Sequence, residues 1–71
     1  MFTIYSKDGC VNCEKSRMAL YIKGLPFQVK KLNDDFTLEW YMNEFKVRSF
    51  PVIVNDTKVY KSFEELQNSI Q

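Results

Sequence analysis

The sequence predicts an α/β domain in which a four-stranded mixed sheet carries helices on both faces, in the order βαβαββα. Three observations lead there. An alternating stretch rich in β-formers, Phe2-Thr3-Ile4-Tyr5, passes through the turn Ser6-Lys7-Asp8-Gly9 into a helical stretch that opens on Cys10-Val11-Asn12-Cys13. A second strand-like run, Phe27 to Leu32, follows that helix, and two strands joined through a helix form a βαβ unit with parallel pairing. Downstream, Phe50-Pro51 introduces Val52-Ile53-Val54, and a turn at Asn55-Asp56 brings Lys58-Val59-Tyr60 back as an antiparallel partner.

Each element has its own signals. The first helix, Val11 to about Lys23, carries two stripes. Cys13, Ser16, Leu20 and Gly24 share one face, while Val11, Met18, Ile22 and Leu25 share nearly the opposite one. A helix apolar on both sides is either sandwiched or keeps one stripe for a partner. Gly24 fits the stop position beyond its end, and Pro26 follows. In the second strand Phe27, Val29 and Lys31 fall on one side. Asn33-Asp34-Asp35 offers turn and N-cap chemistry for a second helix, in which Leu38, Tyr41, Met42 and Phe45 recur at helical spacing with Phe36 and Trp40 flanking. It ends near Phe45 or Lys46. Ser62-Phe63-Glu64-Glu65 is a capping box opening the last helix, whose inner stripe is Phe63, Leu66 and Ile70.

The totals bound what such a fold can be. A chain of 71 residues is read as one domain, residues 1–71, close to the lower size limit for folding on a single core. Its hydrophobic share of 45% and aromatic share of 15% make that core dense. Ten basic and nine acidic residues leave a net charge of +1 with no long run of one sign, which argues against a mainly electrostatic nucleic-acid or membrane binder. No apolar stretch is long enough to span a bilayer. The N-terminus begins directly with strand residues and has no basic region leading into an apolar one, so the expectation is a mature cytoplasmic protein, and a monomer.

The chemistry lies in the only two cysteines. At positions 10 and 13 they share one face of a first helical turn, within reach of a single disulfide. Unpaired backbone N–H groups and the positive end of the helix dipole favour thiolate at the first sulfur, and thiolate is the species that attacks a disulfide. Reversible thiol–disulfide exchange is the reading this supports. Cys10, nearest the helix start, is the candidate nucleophile, and Cys13 the resolving thiol. A zinc site would require two more ligands, and the chain has no histidine and no third cysteine, so no metal is expected. A merely structural pair of small hydrophobes is the remaining alternative.

With these motifs assembled, the chain resembles the glutaredoxins, a branch of the thioredoxin fold, over nearly all of its length. The resemblance rests on Cys10-Val11-Asn12-Cys13 preceded by Lys7, on Val47-Arg48-Ser49-Phe50-Pro51-Val52 placed like the family's proline loop, and on Val59 to Leu66, where many glutaredoxins open the last helix with Gly-Gly. Two departures stand out. Val11-Asn12 replaces the common Pro-Tyr, and Tyr60-Lys61-Ser62 replaces the glycines. In relatives that use glutathione, that helix entrance receives the γ-glutamyl carboxylate, and Lys61 there either obstructs the carboxylate or attracts it. The small glutaredoxin-like redoxins of the NrdH type are more similar. They tend to have valine and an amide between the cysteines, and Tyr60-Lys61-Ser62-Phe63 echoes their final-helix motif without matching it.

The resemblance implies a dithiol–disulfide oxidoreductase with no bound cofactor beyond the redox-active Cys10–Cys13 disulfide. Thioredoxin reductase would be the electron source, with glutathione as the competing reductant, and ribonucleotide reductase or other disulfide proteins the acceptor. It also implies site roles. Lys7 would stabilise the thiolate or meet an anionic substrate, against the plainer reading of a solvated turn lysine. Arg48 would meet a glutathione carboxylate, against that of an ordinary loop arginine. Pro51 would be a cis-proline facing the disulfide, freeing the Phe50 backbone to pair with an incoming peptide. Phe50 and Val11 would form an apolar docking surface. Lys61, Phe63 and Tyr60 would line the groove, although core packing is the simpler role for Tyr60 and Phe63. Ser62 is read as a cap, and Trp40, Tyr41 and Phe45 as core or a partner face. The rival from another class is a non-catalytic binding module that keeps the groove.

Overall fold

The computed structural model describes residues 1–71. Its elements are β1 (Phe2–Ser6), α1 (Val11–Ile22), β2 (Phe27–Lys31), α2 (Leu38–Phe45), β3 (Val52–Asn55), β4 (Lys58–Tyr60) and α3 (Phe63–Ile70), the expected order. The sheet runs β2-β1-β3-β4. β1 is parallel to β2, with Phe2 opposite Phe27 and Ser6 opposite Lys31, and antiparallel to β3, with Phe2 opposite Asn55 and Tyr5 opposite Val52. β3 and β4 close as the predicted hairpin, Ile53 opposite Tyr60.

Strand alternation divides the apolar residues between two cores. Phe2 and Ile4 of β1 and Ile53 of β3 pack with Leu20 of α1 and Leu66 of α3 on one face. Val52 of β3 packs with Tyr41 and Phe45 of α2 on the other, where Tyr5 and Val54 join them. Helices therefore cover both faces, α1 and α3 side by side on one and α2 on the other.

Helix α1 buries Cys13, Ser16 and Leu20, the first of its two stripes. The second is not sandwiched: Val11, Met18 and Ile22 are exposed. Together with Ala19, Phe63 and Ile70 they line an open apolar groove of about 480 Å³ between α1 and α3. The helix stops as Gly24 predicts. Gly24 takes φ +70°, its N–H donates to the Tyr21 carbonyl, and the Leu25 N–H reaches back to Leu20, a pairing that satisfies the last-turn carbonyls.

One expectation is corrected. The Asn33-Asp34-Asp35 segment is a turn but not the cap of α2, since Thr37 is the N-cap and its Oγ1 accepts the Trp40 N–H at 3.1 Å. The physical reason is that Asp35, the nearest of the three to α2, is committed within the loop. Asp35 Oδ2 accepts the Lys31 N–H at 2.8 Å, and the Asn33 N–H donates to the Phe36 carbonyl at 2.7 Å. The helix is thereby delayed by two residues. Asn33 itself sits at φ 73°, a left-handed conformation that asparagine tolerates.

Candidate active site

Strand directions bring three segments to one end of the sheet. β1 ends at Ser6 and leads into the turn before Cys10. β3, antiparallel to it, begins at that same end with Val52, directly after Phe50-Pro51. β4 runs back and ends there at Tyr60, opposite Ile53, so Lys61-Ser62-Phe63 arrive beside them. Residues 7–13, 47–51 and 60–63, far apart in sequence, thus converge because of topology.

The turn is held from β2, where Lys31 Nζ pairs with Asp8 Oδ1 at 2.8 Å. Hydrogen bonding to Asp8, and then its charge, raises the Lys31 pKa above its usual value. Both side chains are solvated, so the pair orients the turn more than it stabilises the fold. Cys10 is the N-cap of α1, with extended backbone, and its Sγ accepts the Cys13 N–H at 3.1 Å while its carbonyl accepts the Glu14 N–H. A sulfur thus occupies the place a serine or aspartate oxygen fills in ordinary caps, on the positive end of the helix. Cys10 and Cys13 are joined as a disulfide with Cα atoms 5.2 Å apart. Cys13 is buried and Cys10 is half-buried. Beneath them the fully buried Ser16 donates to the Asn12 carbonyl at 2.8 Å.

Among the other candidates, the Phe50–Pro51 bond is cis, the geometry the resemblance implied, and Pro51 is fully buried. The β1–β3 ladder ends at Val52, which leaves the backbone of Phe50 outside it. The Phe50 ring is half-buried. It stacks on Tyr41, centroids 4.2 Å apart and planes 5° from parallel, and lies near Phe36. Lys7 is exposed and its ammonium lies over the Phe50 ring, 5.4 Å from the centroid. Arg48 is exposed and forms no ion pair. Val11 and Phe63 face the same α1–α3 groove.

At the entrance of α3 the capping box is closed. Ser62 Oγ accepts the Glu65 N–H at 3.1 Å and Glu65 Oε1 accepts the Lys61 N–H at 3.2 Å. Two carboxylates, Glu64 and Glu65, occupy the first turn. Beside this entrance an open polar hollow of about 500 Å³ separates Asn12 and Lys15 from Ser62, Phe63, Glu64 and Gln67. Tyr60 belongs chiefly to the core, stacked near Phe2, with its hydroxyl 3.1 Å from Ser69 Oγ. No group of His, Cys, Asp or Glu is arranged to hold a metal ion.

Sequence reasoning missed one contact at this end. Tyr41, fully buried, donates its hydroxyl to the Ser49 carbonyl at 2.6 Å, and burial pushes its phenol pKa well above the ordinary value. The available signal was a tyrosine on an otherwise apolar stripe, since a buried phenol almost always has a partner.

Comparison with known proteins agrees with this picture. Residues 4–65 match the family described as glutathione S-transferase, N-terminal domain. No curated protein sequence matches the chain. Among solved structures, glutaredoxin 1 from Francisella tularensis, crystallised with cacodylate, superposes with a TM-score of 0.82 at 20% identity, over 96% of this chain and 88% of that one. The glutaredoxin-like NrdH-redoxin from Escherichia coli, described as having a thioredoxin-like activity profile, gives 0.81 at 20% identity over 99% and 93%. A buckwheat glutaredoxin–glutathione complex gives 0.83 at 14% identity over 96% and 66%. The fold is thus that of glutaredoxins and NrdH-redoxin.

Proposed function

Since the chain belongs to the glutathione S-transferase N-terminal domain family, with a thioredoxin-like fold, we propose that it is a dithiol–disulfide oxidoreductase that reduces protein disulfides from Cys10. The observation that carries this is the position of Cys10. Cys10 is the more exposed residue of the pair, and its sulfur receives a backbone N–H at the start of α1. In the reduced protein the same N–H and helix dipole stabilise a thiolate.

The reaction is a pair of exchanges. The Cys10 thiolate attacks one sulfur of the substrate disulfide, forming a mixed disulfide and expelling the other substrate sulfur as a thiolate. Cys13, deprotonated, then attacks Cys10 Sγ. The Cys10–Cys13 bond forms, the mixed disulfide breaks, and the second substrate thiolate leaves. Two electrons have moved from the protein to the substrate, and a reductase restores them. The backbone of Phe50, beside Pro51, is suited to pair with the substrate's chain, while Lys7, Val11, Arg48, Lys61 and Phe63 border the approach. Chemistry of this kind belongs in a reducing compartment such as the cytoplasm.

Thioredoxin reductase is the electron source we favour, with ribonucleotide reductase as acceptor, in the manner of NrdH-type redoxins. Support for that choice over glutathione comes from the α3 entrance. The Lys61 N–H is engaged by the Glu65 carboxylate, the Glu65 N–H by Ser62, and Glu64 adds a second negative charge. An incoming carboxylate would find these two donors already engaged and would meet the like charge of Glu64 and Glu65.

The test is NADPH consumption by the oxidised protein with a disulfide substrate, in one cuvette with thioredoxin reductase and in another with glutathione and glutathione reductase. Turnover only in the first is the expected result. Turnover only in the second would make it a glutathione-dependent glutaredoxin. Silence in both, with a Cys10 alkylation profile centred near the free-thiol pKa of about 8.5, would leave a non-catalytic binding module.

A further inference from the structure

The segment between α2 and β3, residues 46–51, carries Phe50 and Pro51 to the disulfide end of the sheet, yet only one hydrogen bond reaches its middle. That bond is from Tyr41 Oη to the Ser49 carbonyl, 2.6 Å long. The same Tyr41 ring stacks flat on Phe50 at 4.2 Å, and the Lys7 ammonium lies over Phe50 at 5.4 Å. Tyr41 is anchored in its turn, for it is fully buried in α2 and packed on Phe45 and Val52. A rigid helix therefore grips the loop at two consecutive residues, by hydroxyl at Ser49 and by ring at Phe50, and the turn before Cys10 touches the same ring.

We propose that Tyr41 is a positioning residue for substrate recognition: it holds the Ser49–Phe50 backbone in the one arrangement able to pair with a protein substrate's chain beside Cys10. The proposal rests on the oxidoreductase reading above and adds a residue of the opposite sheet face to it. A loop released from Ser49 spends less time in the pairing geometry, and apparent affinity falls in proportion to the competent fraction. Attack by Cys10 itself does not involve this contact, because the sulfur is held by α1 and its N–H groups. The signature is accordingly a change in KM confined to substrates that need the loop.

Tyr41→Phe removes the hydroxyl and keeps the ring on Phe50. Wild type and variant are compared with dithiothreitol as reductant on insulin, a protein disulfide, and on bis(2-hydroxyethyl) disulfide, which offers no peptide backbone. The expected result is a KM for insulin raised about three- to tenfold, the range one net hydrogen bond spans, with kcat unchanged. Turnover of the small disulfide and the pH profile of Cys10 alkylation stay as in wild type, which also shows that the variant is folded. Equal kinetics on insulin for the two proteins would overturn the proposal. So would a parallel loss on both substrates with a lowered melting temperature, the mark of a purely structural tyrosine. A wild-type protein inactive on both disulfides would instead remove the oxidoreductase reading on which this one stands.

Discussion

Cys10 and Cys13 differ in one respect that chemistry can read. The first caps a helix at the edge of solvent and the second is buried one turn inside. Substituting them should therefore give different failures. Cys10→Ser is expected to abolish disulfide reduction, while Cys13→Ser attacks once and cannot release, so it accumulates a mixed disulfide visible as added mass. Full dithiol turnover by either variant would refute the assignment. Tyr41 gives a second test at this scale, through protons. Burial raises its pKa from the ordinary 10.0, so above that pH the native phenol stays protonated where the unfolded chain's has ionised. The native state then binds more protons than the unfolded one, and stability declines with rising pH, by at most about 1.4 kcal/mol per pH unit for one group. Its contribution is whole below about pH 10 and is lost as pH climbs from there through the native value. Tyr5, also raised by burial and by Glu44, is common to both proteins and cancels in a comparison. The urea midpoint of wild type should thus fall faster than that of Tyr41→Phe between pH 9 and 11, and parallel curves would show that Tyr41 ionises freely.

Helix ends carry the predictions at the scale of elements. Thr37 and Ser62 each satisfy an N–H that the first turn cannot pair internally, through the 3.1 Å bonds to Trp40 and Glu65. Replacing either by alanine should cost about 1 kcal/mol, a drop in melting temperature of roughly 4–8 °C for a domain this small. Asp34→Ala, in the segment whose sequence offers a cap for α2, should stay within about 0.5 kcal/mol. Calorimetry on the three variants separates them, and a large loss at Asp34 with none at Thr37 would restore the aspartate cap. The contrast shows what the chain's letters reveal. The α3 cap was legible because Ser62 and Glu65 stand at the spacing the reciprocal bonds require. The α2 cap was not, because three polar residues preceded Thr37 and only the folded loop commits Asp35 to the Lys31 N–H. Likewise the two cysteines announced the chemistry through their spacing together with their place between a strand and a helix, whereas the Tyr41–Ser49 bond joins a helix to a loop whose path depends on β3 being in place.

At the scale of the molecule, β1 and β3 are shared walls. Ile4 and Ile53 face α1 and α3, while Tyr5 and Val52 face α2, so neither core exists without the strands of the other. This is how 71 residues support helices on two faces, and it is also why the site is remote from much of what determines it. A chain of this length has a total stability of about 4–11 kcal/mol. Leu20→Ala, which opens a cavity under α1 at a fully buried residue, should remove about 2–5 kcal/mol of that. Trp40, the only tryptophan, sits on the far face, within 6 Å of the Tyr5, Phe36 and Phe45 rings. Because the sheet couples the faces, Trp40 fluorescence should report the Leu20→Ala loss in full, and its urea transition should superimpose on that of far-ultraviolet circular dichroism. A tryptophan transition left at its wild-type midpoint would mean that the α2 face unfolds as its own unit. The grip of Tyr41 on the substrate loop would then be independent of the helices that carry and flank the cysteines, and the two halves of the site would have to be assembled by substrate rather than by the fold.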